Sequence, residues 1–389
     1  MIKRHIEPKL QQWAWQYPVI TVTGPRQSGK TTLCRALFGQ KPYLSFEDLD
    51  NREFARADPR GFLAELPNGA VLDEIQYVPD LVSYIQTLVD EKQQAGMFIL
   101  TGSRQFEMME KVAQSLAGRT AIARLLPFSF GELYKKPDDL SIDQMLYAGF
   151  YPRIHDRQLN PTEALSFYVS TYIERDVRQI LAVTDLDRFE TFLRLCAGRT
   201  GQILNMQSIG NECGVSHNTV KSWLSVLQAS GIIKLLRPWH TNVSKRMVKS
   251  PKLYFLDTGL ACFLLGIQKA EHLQGHPLRG ALFETFAVAE AYKQHDNAGR
   301  PEQLWFCRDS NENEVDLLAG SEVALDAWEI KSSMTISSDF FKGLTALNQH
   351  LGEFKSRSII YGGDKKMTRE GTLIIPWRDI DGIFIRKEE

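Results

Sequence analysis

The 389-residue sequence predicts an α/β protein with a parallel sheet first, a helix-turn-helix segment in the middle and a second α/β domain at the end. Three observations support this prediction. Apolar strands alternate with helices in the first third of the chain, two short helices precede apolar strands near the middle, and a long helix precedes three strands near the end. The composition, with 43% hydrophobic and 24% charged residues, is that of an ordinary globular protein, and the length suggests two to three domains.

The first predicted strand, Val19–Thr23, is followed by a glycine-rich loop that opens a helix. The loop fits the pattern G-x-x-x-x-G-K-[ST] in its proper strand–loop–helix setting. Such a loop curls around a phosphate chain, because its glycines adopt positive φ and its N–H groups point inward. The predicted nucleotide-binding residues are Gly24, Pro25, Arg26, Gln27, Ser28, Gly29, Lys30, Thr31 and Thr32. The pattern predicts binding of ATP with Mg²⁺, in which Lys30 contacts the β and γ oxygens and the Thr31 hydroxyl ligates the metal.

Polar side chains follow two later strands of the predicted sheet. One strand ends at Asp73 and Glu74, and the next ends at the hydroxyls of Thr101 and Ser103. Ligands gather at the carboxyl ends of strands in parallel sheets. We therefore expect Asp73 to hold Mg²⁺ and Glu74 to polarise the attacking water. Thr101 or Ser103 would sense the γ-phosphate, although a hydroxyl at a strand end also serves simply to complete a turn.

This first domain resembles the AAA+ ATPases, in which a strand lies between the P-loop strand and the Asp-Glu strand. The resemblance includes Gly102-Ser103-Arg104 after the sensing strand and Ser115-Leu116-Ala117-Gly118-Arg119 further on. In AAA+ proteins an arginine at the second place reaches the nucleotide of a neighbouring subunit. The resemblance therefore implies Arg119 as an arginine finger and a homo-oligomer such as a ring. Arg104 is the rival candidate, and an ordinary surface arginine is the alternative for both.

Strings in the middle of the chain resemble a bacterial and archaeal group of AAA-type ATPases that carry a C-terminal domain of unknown function with nuclease-like features. They are Leu126–Leu133, Gly149–Pro152 and Tyr172–Arg178. The resemblance extends along nearly the whole chain. Residues 161–181 have a helical period that places Phe167 and Tyr168 on one apolar face. Arg175 is a candidate reporter of the nucleotide state, and a structural salt-bridge network is the alternative.

Residues 206–256 have the spacing of a winged helix-turn-helix, whose second helix normally enters the DNA major groove. The predicted elements are the helices Met206–Cys213 and His217–Ser230 and the strands Gly231–Leu236 and Leu253–Leu256. No Asp or Glu occurs between Cys213 and Leu256, but this stretch carries Lys221, Lys234, Arg237, Lys245, Arg246, Lys249 and Lys252. Such a basic stripe neutralises phosphates, so we expect nucleic acid, in particular DNA, as a partner. Winged helices also serve as lids and protein docks, and Lys249 and Lys252 can pair with carboxylates elsewhere.

Near the C-terminus, Asp316 on one predicted strand precedes Glu329 and Lys331 on the next, with a tight turn expected at Gly320-Ser321. Period-two spacing puts Glu329 and Lys331 on one face, beside Asp316 across the hairpin. This arrangement resembles the PD-(D/E)xK nucleases. The resemblance implies that Asp316, Glu329 and Glu284 hold Mg²⁺, or Mn²⁺ in its place, and that Lys331 orients or deprotonates the attacking water.

The Glu-x-Lys triplet alone is weak evidence, because it occurs three times in the chain. Only the copy at Glu329 lies on an apolar strand after a suitable acid. The alternatives are a surface hairpin with a salt bridge between Glu329 and Lys331, and a nuclease fold that binds DNA without cutting it.

We therefore expect four parts in the chain: an AAA+ P-loop ATPase domain over 1–135, a helical lid over 136–186, a winged helix-turn-helix over 187–268 and a restriction-endonuclease-like domain over 269–389. ATP hydrolysis would drive or gate an action on nucleic acid, with metal-dependent cleavage as a second activity. The alternative is a nucleotide-dependent binding switch, in which the phosphoanhydride is the one bond broken.

Charge, cysteines and hydropathy exclude several other classes of protein. The net charge of −1 means that a nucleic-acid surface must be a local patch. The five scattered cysteines form no C-x-x-C pair, which favours reduced thiols over a disulfide framework or a zinc site. No apolar run approaches the roughly 20 residues of a membrane span, and the N-terminus lacks an apolar signal segment. We therefore expect a cytoplasmic protein without a membrane partner.

Overall fold

The structure is a computed structural model that describes residues 2–102, 114–135, 139–173, 186–239, 248–321, 324–351 and 353–385. The chain forms two compact units. The first unit is built from residues up to Phe128 together with Ala229–Gly231 and Asp296–Arg300, and the second unit is built from the remainder. Among the described residues, no helix combines the length and the apolar character needed to cross a membrane.

The first unit alternates strands and helices. Its helices are α1 (Glu7–Gln16), α2 (Lys30–Leu37), α3 (Leu49–Ala57), α4 (Pro59–Ala64) and α5 (Leu81–Lys92). Its strands are β1 (Val19–Thr23), β2 (Tyr43–Ser45), β3 (Val71–Asp73), β4 (Phe98–Gly102) and β5 (Thr120–Arg124). Every residue of β1 and β4 is buried, as expected for central strands that helices cover on both faces.

The five strands form one parallel sheet in the order β2-β3-β4-β1-β5. The strand β4 lies between β1 and β3, which confirms the strand position expected from the AAA+ resemblance. Because all strands run the same way, the loop after Thr23, the acids at the end of β3 and Thr101 on β4 share one edge of the sheet. The predicted strand Val19–Thr23 is confirmed at both ends, and the strand predicted to end at Asp73 and Glu74 ends at Asp73.

The second unit contains ten helices and nine strands among its described residues. The helices are α6 (Phe130–Leu133), α7 (Ile142–Ala148), α8 (Pro152–Arg157), α9 (Pro161–Tyr168), α10 (Leu186–Ala197), α11 (Met206–Cys213), α12 (His217–Ala229), α13 (Thr258–Leu264), α14 (Arg279–Asn297) and α15 (Lys342–Leu351). The strands are β6 (Gln202–Ile203), β7 (Ile233–Pro238), β8 (Lys252–Phe255), β9 (Leu304–Arg308), β10 (Glu314–Ser321), β11 (Ala324–Lys331), β12 (Ser356–Tyr361), β13 (Met367–Arg369) and β14 (Thr372–Pro376).

These nine strands form a single sheet in the order β13-β14-β12-β11-β10-β9-β7-β8-β6. The strands β7 and β8, predicted as a wing, pair antiparallel with each other, and β7 also pairs parallel with β9. The strands of the helix-turn-helix segment and those of the C-terminal segment therefore share one sheet. The prediction of a turn at Gly320-Ser321 was wrong, because both residues pair with β11 as the last residues of β10.

Phe130 and Phe150, from two of the strings behind the family resemblance, are buried in the second unit. The ring of Phe150 stacks on Phe286 at 5.9 Å, and its backbone N–H donates to Asp257 Oδ2 at 2.7 Å. The backbone N–H of Phe130 donates to the buried Glu290 Oε2 at 2.9 Å. One expectation for this region was wrong. Phe167 is 61% exposed on α9, and this helix ends at Tyr168, where a π-helix follows in place of the expected continuous α-helix.

Candidate functional site

The loop between β1 and α2 has the backbone of a phosphate-binding loop. Positive φ angles occur at Gly24 (149°), Gln27 (61°) and Gly29 (91°). A Cβ atom at Gly24 would lie 2.1 Å from the carbonyl oxygen of Leu125, so this position requires glycine. The Ser28 hydroxyl is buried and has no hydrogen-bond partner among the described residues. This unsatisfied group inside the loop fits a site that expects a polar ligand.

Lys30 begins α2 with a buried ammonium group. Its Nζ donates to the carbonyl oxygens of Gly24 at 2.9 Å and Pro25 at 2.8 Å. Burial lowers the pKa of Lys30, although Glu74 and Asp73 act in the opposite direction. The ammonium therefore donates to two neutral carbonyl oxygens of its own loop. A charged phosphate oxygen would form a stronger hydrogen bond with it.

Asp73 collects three hydroxyl donors at the edge of the sheet. Thr31 Oγ1 and Tyr43 OH donate to its Oδ2 at 2.9 and 2.7 Å, and Thr101 Oγ1 donates to its Oδ1. The predicted proximity of Thr31, Asp73 and Thr101 is confirmed, and Tyr43 was missed because an aromatic strand residue indicates only packing. A carboxylate beside a hydroxyl at the end of a phosphate-binding loop offers the oxygen ligands that Mg²⁺ prefers, so these residues fit the metal.

Glu74 adopts a left-handed conformation with φ 57°, which is unusual for a residue other than glycine. Its backbone N–H donates to Thr101 Oγ1 at 3.4 Å, and its carboxylate accepts from the side-chain amide of Gln76. Glu74 therefore lies beside Asp73, with its carboxylate held by an amide that the sequence did not indicate.

Arg4 is a buried residue of the first unit that sequence reasoning missed. Its guanidinium donates to the carbonyl oxygens of Ser28 at 2.8 Å and Leu126 at 2.7 Å, and lies 4.8 Å from the centre of the Phe128 ring. Arg4 thereby ties the phosphate-binding loop to the segment after β5. No local motif marks this role, since its partners are distant in sequence.

Arg119 directly precedes β5, and its carbonyl oxygen accepts from the backbone N–H of Val19 at 3.2 Å. The whole length of β1 therefore separates Arg119 from the loop that follows Thr23. The guanidinium forms a bidentate ion pair with Asp90 on α5, at 2.5 and 2.9 Å. The other sensing and finger candidates, Ser103, Arg104 and Arg175, lie outside the described residues.

The helices α11 and α12 meet at Gly214, and the hydroxyl of Ser216 caps α12 by accepting from the N–H of Thr219 at 3.1 Å. The apolar side chains predicted to face inward are all buried: Val220, Trp223, Leu224 and Leu227. The first two turns of α12 expose the polar residues His217, Asn218, Lys221 and Ser222. These elements are confirmed, and a winged helix-turn-helix remains our interpretation of them.

Among the described residues, only part of the predicted basic stripe is exposed and outside an ion pair, so only part of it is available to bind phosphates. Lys221, Arg237 and Lys249 are exposed, whereas Lys234 Nζ pairs with Glu302 Oε1 at 2.5 Å and Lys252 is buried. Lys245 and Arg246 lie outside the described residues.

The C-terminal carboxylates lie on one face of the β10–β11 hairpin, as predicted. Lys331 Nζ is 2.6 Å from Glu329 Oε1 and 3.6 Å from Asp316 Oδ2, and the backbone N–H of Ile330 donates to Asp316 Oδ2 at 2.8 Å. The second oxygen of Glu329 is buried without a hydrogen-bond partner among the described residues. The sequence therefore located Asp316, Glu329 and Lys331 correctly relative to one another.

Glu284 does lie beside Asp316, but the third acid of this group is Glu314 and not Glu329. One carboxylate oxygen from each of Glu284, Glu314 and Asp316 lies within 4.8 Å of the others. Lys252 from β8 is inserted among them, with Nζ 2.9 Å from Glu284 Oε1 and 2.5 Å from Glu314 Oε1. Pairing of Lys252 with carboxylates was the alternative to phosphate binding, and the structure confirms it, but the sequence did not indicate which carboxylates take part.

Burial and the neighbouring charges shift the pKa values of these carboxyl groups in different directions. Burial raises the pKa of Glu284 to about 7, although Lys252 lowers it. Burial and the charge of Asp316 raise the pKa of Glu329 well above its usual value. Burial also acts to raise the pKa of Asp316, but Lys331 and Lys252 outweigh it and hold the pKa below its usual value. Asp316 is therefore the carboxylate that stays ionised most firmly.

As arranged, these residues do not fit a divalent cation. The place between Glu284, Glu314 and Asp316 holds the Lys252 ammonium, and Glu329 is paired with Lys331. Metal binding through Glu284, Asp316 and Glu329 therefore stays a prediction from the sequence, and we derive no reaction step from it.

Three family models match successive parts of the chain. Residues 16–134 match an AAA domain, residues 139–271 match a domain of unknown function (DUF8612) and residues 279–380 match a domain of unknown function (DUF4143). Two uncharacterized proteins, Rv2008c of Mycobacterium tuberculosis and Mb2031c of Mycobacterium bovis, are each 27% identical to the chain over 377 residues, which is 96% of this chain and 82% of theirs.

Two solved structures resemble the chain in fold. The Walker-type ATPase PABY2304 of Pyrococcus abyssi is 15% identical, with a TM-score of 0.46 over 68% of this chain and 96% of its own. AMPPCP-bound DnaA from Aquifex aeolicus is 14% identical, with a TM-score of 0.31 over 57% of this chain and 85% of its own. The family models therefore match an AAA domain within the first 134 residues and a DUF4143 domain over residues 279–380.

Proposed function

We propose that the protein binds and hydrolyses ATP at the loop Gly24–Thr32, and that its nucleotide state controls contact with nucleic acid. The observation that supports the ATPase site best is the convergence of Lys30, Thr31, Asp73 and Thr101 at one edge of the sheet. The hydroxyls of Thr31 and Thr101 already donate to the Asp73 carboxylate, and Lys30 donates to the carbonyl oxygens of the loop. The AAA domain match over the same residues supports the same reaction.

The reaction follows from the positions of these groups. Lys30 exchanges the carbonyl oxygens of Gly24 and Pro25 for phosphate oxygens, and Thr31 with Asp73 would hold Mg²⁺. Bound Mg²⁺ neutralises charge that develops on the phosphate oxygens. Glu74 accepts a proton from the attacking water, and Gln76 fixes the position of its carboxylate before the reaction.

The active form in this proposal is a homo-oligomer, such as a ring. Arg119 lies at the amino end of β5, whereas the phosphate-binding loop follows the carboxyl end of the neighbouring β1. A guanidinium in this place is remote from the γ-phosphate of its own chain. An arginine finger at Arg119 therefore acts on the nucleotide of an adjacent subunit. To do so, its guanidinium leaves Asp90 and contacts the phosphate.

The nucleic-acid contact rests on α12 and its surroundings. The first half of α12 exposes hydrogen-bonding side chains, and Lys221, Arg237 and Lys249 add exposed positive charge in a stretch without acids. A fluorescent DNA duplex tests the contact by anisotropy at low salt, with ATP, with ADP and without nucleotide. We expect the hydrolysis-deficient Glu74→Gln protein to bind DNA with different affinities in ATP and ADP. Equal affinities in all three conditions, or no binding to any nucleic acid, would refute nucleotide control of DNA contact.

A second candidate function is metal-dependent cleavage of nucleic acid, favoured by the close approach of Asp316, Glu329 and Lys331. A nuclease assay of the full chain with ATP and Mg²⁺ or Mn²⁺ tests it. Cleavage that Asp316→Asn abolishes would establish this candidate, and cleavage that survives this substitution would come from a contaminant.

A further inference from the structure

Lys252 lies where a divalent cation would lie in a nuclease-like acid cluster. Its Nζ is 2.9 Å from Glu284 Oε1, 2.5 Å from Glu314 Oε1 and 3.8 Å from Asp316 Oδ1. We propose that the Lys252 ammonium takes the place of the cation, so that the C-terminal domain works without a metal at this cluster. The inference goes beyond ATP hydrolysis and DNA contact, and it opposes the cleavage candidate.

The position of Lys252 is fixed by its backbone as well as by its partners. As the first residue of β8, Lys252 is in register with Ile203 on one side and Leu236 on the other. Its side chain is 3% exposed, and the ammonium lies 5.5 Å from the centre of the Phe306 ring. A lysine at a strand position that pairs on both sides cannot swing away as a surface lysine does. Removing its ammonium from the cluster would also take away the cation that pairs with Glu284.

The remaining charges make a metal ion superfluous. The ammonium of Lys331 pairs with Asp316 and Glu329, and Arg308 Nη1 lies 3.5 Å from Glu314 Oε2. Three cationic side chains, Lys252, Lys331 and Arg308, therefore face the four carboxyl groups of Glu284, Glu314, Asp316 and Glu329. A divalent ion added to this set would bring an excess of positive charge into a buried place.

The pKa of Lys252 agrees with this role. Burial disfavours its charged form, yet Tyr254, Glu284 and Asp316 together raise its pKa well above the usual value. Tyr254, two residues further along β8, donates its hydroxyl to Glu284 Oε1 at 2.5 Å. The strand β8, which lies in the helix-turn-helix segment of the sequence, thus supplies two of the groups that complete the cluster.

The test is Mn²⁺ binding to the full chain, freed of nucleotide and stripped with a chelator, by calorimetry and by the electron paramagnetic resonance signal of free Mn²⁺. We compare the wild type, Asp316→Asn, Lys252→Met and the double variant. Methionine keeps an unbranched apolar stem and removes the ammonium. The wild type and Asp316→Asn should bind Mn²⁺ alike. Lys252→Met should gain a site whose affinity exceeds that of the wild-type cluster by at least about tenfold, since a positive charge no longer repels the ion. The double variant should lose that site.

A wild-type Mn²⁺ site that disappears in Asp316→Asn would overturn the proposal, and so would a folded Lys252→Met protein that gains no site. If Lys252→Met does not fold, the wild type and Asp316→Asn still decide, because Mn²⁺ bound at the cluster would raise the melting temperature of the wild type alone. Neither ATP hydrolysis nor DNA binding enters these readouts, so failure of the proposed function leaves the test intact.

Discussion

The two units each contain a pair of carboxylates at strand positions, and the two pairs are stabilised by different neighbours. Around Asp73 the partners are the hydroxyls of Thr31, Tyr43 and Thr101, and the nearby Lys30 donates to loop carbonyls. Around Asp316 and its neighbours the partners are ammonium groups. Hydroxyl groups leave the negative charge of a carboxylate uncompensated, whereas a buried ammonium cancels it. The first site therefore retains a demand for a cation, whereas the second satisfies this demand with ammonium groups of its own side chains.

The largest effect that we expect concerns the stability of the second unit. Lys252→Met removes one partner of a buried, hydrogen-bonded charge cluster, so it should lower the free energy of unfolding by about 3–5 kcal/mol. Urea unfolding of the full chain measures this, with Lys221→Met on the exposed face of α12 as the matched control. A loss from Lys252→Met no greater than that from Lys221→Met would mean that the cluster does not depend on its ammonium.

The next effect tests whether the first site is shared between subunits. Arg119→Ala should lower the rate of ATP hydrolysis by about 10³-fold, because an arginine finger stabilises charge in the transition state. The rate per subunit of the wild type should also rise with protein concentration. Glu74→Gln subunits retain Arg119, so mixing them with Arg119→Ala subunits should restore sites at mixed interfaces.

A control separates the finger from the ion pair. Asp90→Asn removes the partner of Arg119 without removing the guanidinium, so it should leave the hydrolysis rate largely intact. A sedimenting monomer that hydrolyses ATP well at every concentration would rule out action in trans.

A third prediction separates binding from turnover at the first site. Glu74→Gln should bind ATP normally and lose turnover by about 10²-fold or more, because it removes the general base. Lys30→Ala should lose both, because it removes a contact that the bound nucleotide already makes. Glu329→Gln is the corresponding change in the second unit and should leave hydrolysis unchanged. Equal loss of ATP affinity in Glu74→Gln and Lys30→Ala would contradict the assigned roles.

The smallest effect concerns the salt dependence of DNA binding. Each phosphate contact contributes roughly 0.9 to the slope of log K against log salt, so neutralising Lys221, Arg237 and Lys249 together should flatten it by about 2–3 units. Lys234→Gln is the control, because Lys234 already pairs with Glu302 and should change the slope little. If the two variants behave alike, the exposed lysines do not define the contact surface.

Much of the first site was predictable because its residues are contiguous in the sequence or lie at the ends of strands. The pattern from Gly24 to Thr32 and the acids after β3 each carry a local signal, and a parallel sheet brings them together. Arg4 and Tyr43 carry no such signal, since an isolated arginine and a strand tyrosine have many possible partners. The side-chain period of a strand likewise placed Glu329 beside Lys331 correctly.

The second site was harder to predict because its decisive residue comes from another segment. Lys252 is separated from Glu284 by 32 residues and from Glu314 by 62 residues along the chain. Its sequence neighbours are basic, so phosphate binding and pairing with carboxylates both stayed open for Lys252, and the sequence did not indicate its partners. The expectation that Asp316, Glu329 and Glu284 hold a metal ion did not include the charge of Lys252. Both segments share one nine-stranded sheet, and no local sequence pattern indicates this tertiary arrangement.

The most direct test of the difference between the two sites is the number of Mn²⁺ ions bound per chain with a non-hydrolysable ATP analogue. We expect one Mn²⁺ ion, which Asp73→Asn abolishes and Asp316→Asn leaves unchanged. A second ion that Asp316→Asn removes would contradict the account, because the C-terminal cluster would then bind a metal despite Lys252.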